Sequence, residues 1–486
     1  MRTRIAAACA AACTLAAAAA GPASAQAPIT SPNVSHVKQL KYEARNGTTP
    51  NYGTDIEFTK LGGREYALAG SYRNGLQIVD ITNPEQASIV AVYDCGVTQG
   101  DVQVFRQADE PGRTFIAYTS DTYGDGTSTC YREAKALGFD VHKANGSGRN
   151  GTFIAEITDP LNPRTISFVE FAKGSHNITV HPSGNWLYNS NSDLITSVVN
   201  SPGIEYTDIS EISRPGATRR LDLPVRPGLG TESHDLTFNE RGTRAYSAAL
   251  SQGVIIDTTD PGAPKIVTSF LNPAINVWHQ ADPFTLKDAT GREREYLMVE
   301  DEYAGAAAGG ECPNGGVWFY EVTGELEKNP ALVGYFNISE VRPTDQPVLG
   351  RCTAHVFDVH EDQQIATIAW YNAGSRVLDL SGLTGVSLGG TPIVGDGVKE
   401  IGSARFTGSD TWSAKTPKIH PVKGDFFLYS NDTARGLDIW RFRGDGKKPG
   451  KGAQGRWMSG SEAQAQFAAE RSEPAAGYRP FCLLAQ

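Results

Sequence analysis

The chain has 486 residues, 40% hydrophobic and 20% charged, with a net charge of −10. That apolar share lets most of the length bury a core, while the negative balance excludes nucleic acid as a partner, because phosphates need a basic face. Seven cysteines occur with no C-x-x-C spacing, which excludes a zinc ribbon or a thioredoxin-like site.

Taken in order, residues 1–25 read as a signal peptide: Arg2 and Arg4 precede the apolar run Ile5 to Ala20, and Ala23-Ser24-Ala25 offers a cleavage site. The run is too short and Ala-rich to anchor in a membrane, so no transmembrane segment is expected once it is removed. The expected location is bacterial and exported: periplasmic, secreted or at the cell surface. Cys9 and Cys13 leave with the signal, and the remaining five cysteines meet an oxidising compartment that favours pairing.

After a leader (26–36), the stretch Glu65 to Asp94, EYALAGSYRNGLQIVDITNPEQASIVAVYD, reads as three short antiparallel strands separated by turn-formers. Its grammar recurs from Arg244 to Phe270 and, in its second half, from Gly151 to Phe171. Such repeats mark an architecture in which each unit covers its neighbour's apolar face. Aligning them predicts an all-β fold, a seven-bladed β-propeller of four-stranded antiparallel blades over 37–442, with an insertion in blade 2 from Thr122 to Asn150. Blade 7 lacks an outer strand of its own. Ser35 to Ala44, SHVKQLKYEA, has that character, so an N-terminal strand is expected to close the ring and leave no long edge unpaired. The tail, 443–486, is rich in Gly, Pro, Ala and charge and is expected to be flexible; it carries Cys482 near its end.

The phrases GLQIVDITNP, GVIIDTTDPGAP, SRVLDLS and GLDIWRF resemble the LVIVD repeat of exported bacterial and archaeal β-propeller proteins, over roughly Val37 to Phe442. The resemblance implies a fold and an exported location, and no activity. Within the repeat, Asp80, Asp257, Asp379 and Asp438 are expected to cap the turn from the third strand to the fourth.

Propeller topology sorts the unusual residues. Asp55, Asp101, His176, His234, His279 and His355 start the inner strands of blades 1 to 6 and are expected to ring the mouth of the central channel. Three explanations stand for four histidines in register, one of them an axial site for an anion or small molecule. Each histidine would otherwise be a structural hydrogen-bonding residue within its own blade, as in WD-type propellers; or they would converge on a transition metal, since neutral imidazoles suit Zn, Cu, Fe or Ni. The same face gathers Asp121, Asp193, Glu300, Asp301, Glu302 and Asp432, a carboxylate rim that would be merely solvated, would bind calcium or would attract a cationic ligand. The cysteines fall there too, which makes Cys95–Cys130 and Cys312–Cys352 the expected disulfides.

No G-x-S-x-G elbow, H-E-x-x-H, P-loop or dinucleotide fingerprint is present. The leading expectation is therefore an exported binding or interaction module. Its disulfide-tied top face would meet a protein or small-molecule ligand of unknown identity. The competing expectations are a metal-dependent redox enzyme with a His-lined axial site, and a passive cell-surface structural protein lacking a preformed pocket.

Overall fold

The computed structural model describes residues 26–122, 124–171, 174–191, 203–226, 231–288, 290–302, 315–338, 352–383, 397–444 and 455–470. Four-stranded antiparallel sheets follow one another along the chain, and seven of them close a ring. Their inner strands, Gly53–Leu61, Gln99–Phe105, Asn177–Val180, Asp235–Phe238, Trp278–Lys287, His355–His360 and Thr411–Lys415, touch in cyclic order, the last meeting the first. Apolar side chains fill the space between successive sheets. Leu68, Ile78 and Tyr93 of blade 1, for example, pack with Val102, Ile116 and Phe153 of blade 2.

A belt of polar bonds joins the inner strands around the axis. Asp101 accepts from the Ile178 amide at 2.7 Å, Thr179 donates to Leu236 O at 2.6 Å, Thr237 donates to Asp282 at 2.6 Å, and Ser413 donates to Thr54 O at 2.7 Å. Three of these bonds satisfy inner-edge backbone groups that the sheets leave open, as burial requires, and the Thr237–Asp282 bond joins two side chains.

Closure follows the sequence expectation. Val34–Leu40 pairs with Gly436–Phe442 as the outer strand of blade 7. Further upstream, Ile29–Thr30 adds to the edge of blade 6 against Lys399–Arg405, so the leader is itself part of the sheet system. The tail departs from expectation. Gly455–Ser459 forms a fifth strand on blade 5, and a helix, Gly460–Glu470, follows it. Composition concealed this because two side chains carry the docking: Trp457 lies 5.9 Å from Phe319 between ring centroids, and Phe467 lies 5.0 Å from Tyr335. The addition also covers an exposed sheet edge. Cys482 lies outside the described residues.

Three of the four repeat aspartates cap as expected: Asp80, Asp257 and Asp379 accept from the amides of Thr82, Thr259 and Ser381. Asp438 instead pairs with Arg435 and with His36 of the closing strand, at 2.9 Å to the imidazole. The blade 2 insertion holds a helix, Thr129–Ala136, tied to the start of that blade by the Cys95–Cys130 disulfide. Cys352 is also disulfide-bonded; Cys312, its expected partner, lies outside the described residues.

Candidate functional site

The four histidines begin, or immediately precede, the inner strands of blades 3 to 6. In blades 5 and 6 a bulge interrupts pairing at this point, between Trp278 and Ala281 and between His355 and Phe357. Bulges re-aim side chains, and here consecutive residues line the same axial cavity: His279 with Gln280, and His355 with Val356. The imidazoles stack into one arc, with ring centroids 4.5 Å apart for His176–His234, 4.0 Å for His234–His279 and 4.6 Å for His279–His355. All four are buried.

Their outward nitrogens are anchored across blade boundaries or to carboxylates. His234 Nδ1 donates to the His279 carbonyl at 2.9 Å, and His355 Nδ1 donates to the Trp412 carbonyl at 2.5 Å. A carbonyl only accepts, so both Nδ1 atoms carry a proton, and in a neutral ring Nε2 then holds a lone pair. His279 Nδ1 meets Glu300 Oε2 at 2.9 Å. His176 differs: Nδ1 faces Asp121 at 3.3 Å, and Nε2 is bonded by the Gln99 amide at 3.3 Å. Gln99 is held at φ 71°, in the left-handed region that favours glycine.

Glu302, just past the second strand of blade 5, enters this arc from the side. Its Oε2 lies 3.5 Å from His279 Nε2 and its Oε1 3.7 Å from His355 Nε2. The Tyr371 hydroxyl donates to Oε1, and the Tyr371 ring lies against His355 with centroids 4.4 Å apart. Ligand atoms of His234, His279 and Glu302 all lie within 4.8 Å of one another. Burial pushes the His234 imidazole well down, helped by its histidine neighbours, and brings His279 to about 4 despite Glu302. Burial and the neighbouring Asp301 and Asp282 push the Glu300 carboxyl up.

Below the histidines lies a cavity of about 230 Å³ on the axis, bordered by His234, His279, His355 and Trp412. Asp55 and Asp101 line it, but not at the level of the imidazoles. Strand register sets them level with Asn177, Asp235 and Gln280, one residue beyond the histidines. The sequence alignment placed them one position off because bulges at the strand starts of blades 1 and 2 hide the offset. Lys415 reaches into the cavity and pairs with Asp55 and Glu57, each at 2.9 Å.

The carboxylates expected at a solvated rim lie inside. Glu300 supports His279, and Asp301 accepts from the Asn276 and Val277 amides. Asp432 accepts from Asp410 N, Thr411 Oγ1 and Ala434 N, and Asp121 faces His176. All four are buried, which follows from turn amides and imidazoles drawing them in as partners; Asp193 lies outside the described residues. Gln99 and Trp412 are the residues the sequence reading did not single out, while Glu302 was placed at the rim rather than among the histidines. A signal for Glu302 existed: in the strand ending LMVED, Glu300 and Glu302 are two apart and so share a side, with Asp301 opposite.

Fold and site together define a seven-bladed propeller with an axial histidine–carboxylate cluster. No protein-family model matches the sequence, and no curated protein matches it. Among solved structures, the chain is similar to the Cps50 (Swd1) β-propeller domain of Myceliophteria thermophila, at 11% identity and TM-score 0.44, over 80% of this chain and 96% of that one. A functionally unknown protein from Desulfotomaculum acetoxidans is matched at 16% identity and TM-score 0.41, over 73% and 90%. The hydrazine synthase of Kuenenia stuttgartiensis is matched at 10% and 0.47, over 80% and 95%. At these identities and scores none of them bears on function.

Proposed function

We propose that the protein is an exported metalloenzyme whose propeller axis holds one divalent transition metal between His234, His279 and Glu302, with His355 beside it. The observation that carries this reading is the spacing of the Glu302 carboxylate from two imidazole Nε2 atoms, 3.5 and 3.7 Å. Both exceed the roughly 3.2 Å reach of an N–H···O hydrogen bond. Two donors each ~2.0–2.1 Å from a tetrahedral metal stand about 3.4 Å apart, which is close to what is seen. The Nδ1 anchors act as outer partners that fix each ring and its tautomer, as metal-ligating histidines require.

The chemistry of the donors fits as well. Imidazole and carboxylate together suit iron, copper or zinc. Burial keeps His234 and His279 neutral, so protons compete weakly for the ligand nitrogens. The adjoining cavity gives a small molecule room beside the metal, which favours catalysis over a passive surface role and over a purely protein-binding role. A propeller by itself suits binding or interaction, and its chemistry resides in the site it carries. The LVIVD-like repeats, the signal-like first 25 residues and the Cys95–Cys130 disulfide support an oxidising, exported setting.

The test is metal analysis of protein purified without a His tag, beside a His234→Ala/His279→Ala variant. Near one equivalent of a transition metal in the wild type, lost in the variant, is expected. A folded wild type that stays metal-free after incubation with Zn, Cu, Fe and Mn salts would remove the basis of the reading.

A further inference from the structure

Glu302 reaches the histidine arc with two oxygens, and their surroundings differ. Oε2 faces His279 Nε2 at 3.5 Å. Oε1 lies 3.7 Å from His355 Nε2 and accepts the hydroxyl hydrogen of Tyr371. Tyr371 stands at φ 41°, a left-handed conformation that is an outlier for a bulky side chain, and such strain persists only where the surroundings over-determine it. Here they do. The Tyr371 carbonyl accepts from Gly374 N at 2.9 Å and from Thr411 N at 3.1 Å, and Asn372 Nδ2 in the same turn donates to Ser409 O at 2.5 Å. The ring is buried, with its centroid 4.4 Å from that of His355 and 6.2 Å from that of Trp412. Rotating the phenol away from Glu302 would break that packing. Neither Glu302 nor Tyr371 borders the axial cavity, whereas His234 and His279 do. The carboxylate and its phenol thus close one side of the cluster, and the cavity opens on another.

We infer that Tyr371 is a positioning residue that holds Glu302 to a single metal bond through Oε2, so that the metal keeps one coordination position for water or a small ligand entering from the cavity. The inference deepens the proposed function and rests on it. A carboxylate can bind a metal through one oxygen or through both. Through both, Glu302 and the imidazoles of His234 and His279 would fill a four-coordinate shell and leave a ligand no place. With Oε1 engaged by the phenol, three protein ligands remain. That is the number found in catalytic zinc sites, where the fourth position belongs to water or substrate. His355 supports the arrangement from the same side. Its ring is stacked between those of His279 and Tyr371, at 4.6 and 4.4 Å, and its Nδ1 is tied to the Trp412 carbonyl, which fixes the distance of the phenol from the arc.

Cobalt(II) is the probe, because its visible absorption reports the number and type of its donors. Cobalt-loaded wild type is expected to show the intense band of a four-coordinate site. Imidazole, a neutral nitrogen ligand small enough for a cavity of about 230 Å³, should shift that band saturably. Tyr371→Phe removes the hydroxyl and keeps the ring. It should still bind cobalt, with an altered band as Oε1 joins the metal, and its affinity for imidazole should fall about tenfold or more, the scale of losing an outer partner. Tyr320→Phe removes another buried hydroxyl, one that accepts from Asn272 at 2.9 Å, and should leave both readouts as in the wild type. A purely structural Tyr371 would lower the melting temperature of Tyr371→Phe and leave the spectrum and the imidazole affinity unchanged, which would overturn this inference alone. Should Tyr371→Phe fail to fold, the wild type still decides, because a cobalt band that imidazole does not shift would also overturn it. A folded wild type that takes up no cobalt would remove the metal reading and this inference with it.

Discussion

The setting of His279 Nδ1 is the smallest feature on which the site depends. The nitrogen meets Glu300 at 2.9 Å, and that bond turns Nε2 toward Glu302. Replacing Glu300 by Gln keeps the shape and exchanges the carboxyl for an amide, so metal affinity is expected to fall about 10–100-fold, the usual effect of losing an outer partner; a competition titration against a chelator measures it. Protonation also sets the stability of the metal-free protein. Burial raises Glu57, Asp282 and Asp432 to about 7, so between the ordinary carboxyl range and pH 7 the native state holds protons that the unfolded chain has released. Stability therefore falls as pH rises through that window. His279, lowered to about 4, works in the opposite sense, because below about 6.5 the unfolded chain takes up a proton that the native state refuses. Between pH 6.5 and 7.5 the carboxyls are the larger contribution, since the unfolded-state imidazole has already released about half its proton at its ordinary value near 6.5. The melting temperature of chelator-treated protein is expected to drop across that interval, and a flat or rising profile in differential scanning calorimetry would contradict these protonation states.

Strand bulges explain both what was legible in the sequence and what was not. The blades could be read because the repeat writes each strand and turn several times over, and the N-terminal strand could be read because one blade lacked its outer member. The histidines could be read as a set because they recur at one phase. Phase failed for Asp55 and Asp101, since a bulge adds a residue without leaving a mark in composition. Glu302 was read as part of an outer rim because an acidic run after a hydrophobic strand ordinarily means solvent. The docked tail was missed because Trp457 and Phe467 are its few apolar contacts within a polar, Gly-rich stretch. Among the loops, the disulfide between Cys95 and Cys130 spans 35 residues, a loop whose closure is worth about 3–4 kcal/mol in the chain-entropy estimate. The Cys95→Ser/Cys130→Ser variant is expected to lose roughly that much in denaturant unfolding, with the histidine cluster and its metal affinity little changed, since His234, His279, His355 and Glu302 lie in other blades.

At the scale of the whole molecule, stability depends on the ring being closed. Val34–Leu40 pairs with Gly436–Phe442, and His36 reaches Asp438 across 402 residues of sequence. A chain lacking residues 26–41 would expose a full sheet edge on blade 7 and uncover Trp440, which is 1% exposed; aggregation or a loss of cooperative melting is expected, read by light scattering and calorimetry. Deleting 455–470 should cost less, because blade 5 keeps its own four strands. The seal has a further consequence for biosynthesis. Synthesis runs from the N-terminus, so Val34–Leu40 is made before every blade and has no partner until Gly436–Phe442 is made. His234, His279, Glu302 and His355 all precede that last strand. An ion supplied while the ring is still open can reach them from the side, between unsealed blades; one supplied afterwards has only the axial route. On the proposed metal reading, the order of synthesis would make the moment of ring closure decide by which route an ion reaches the site.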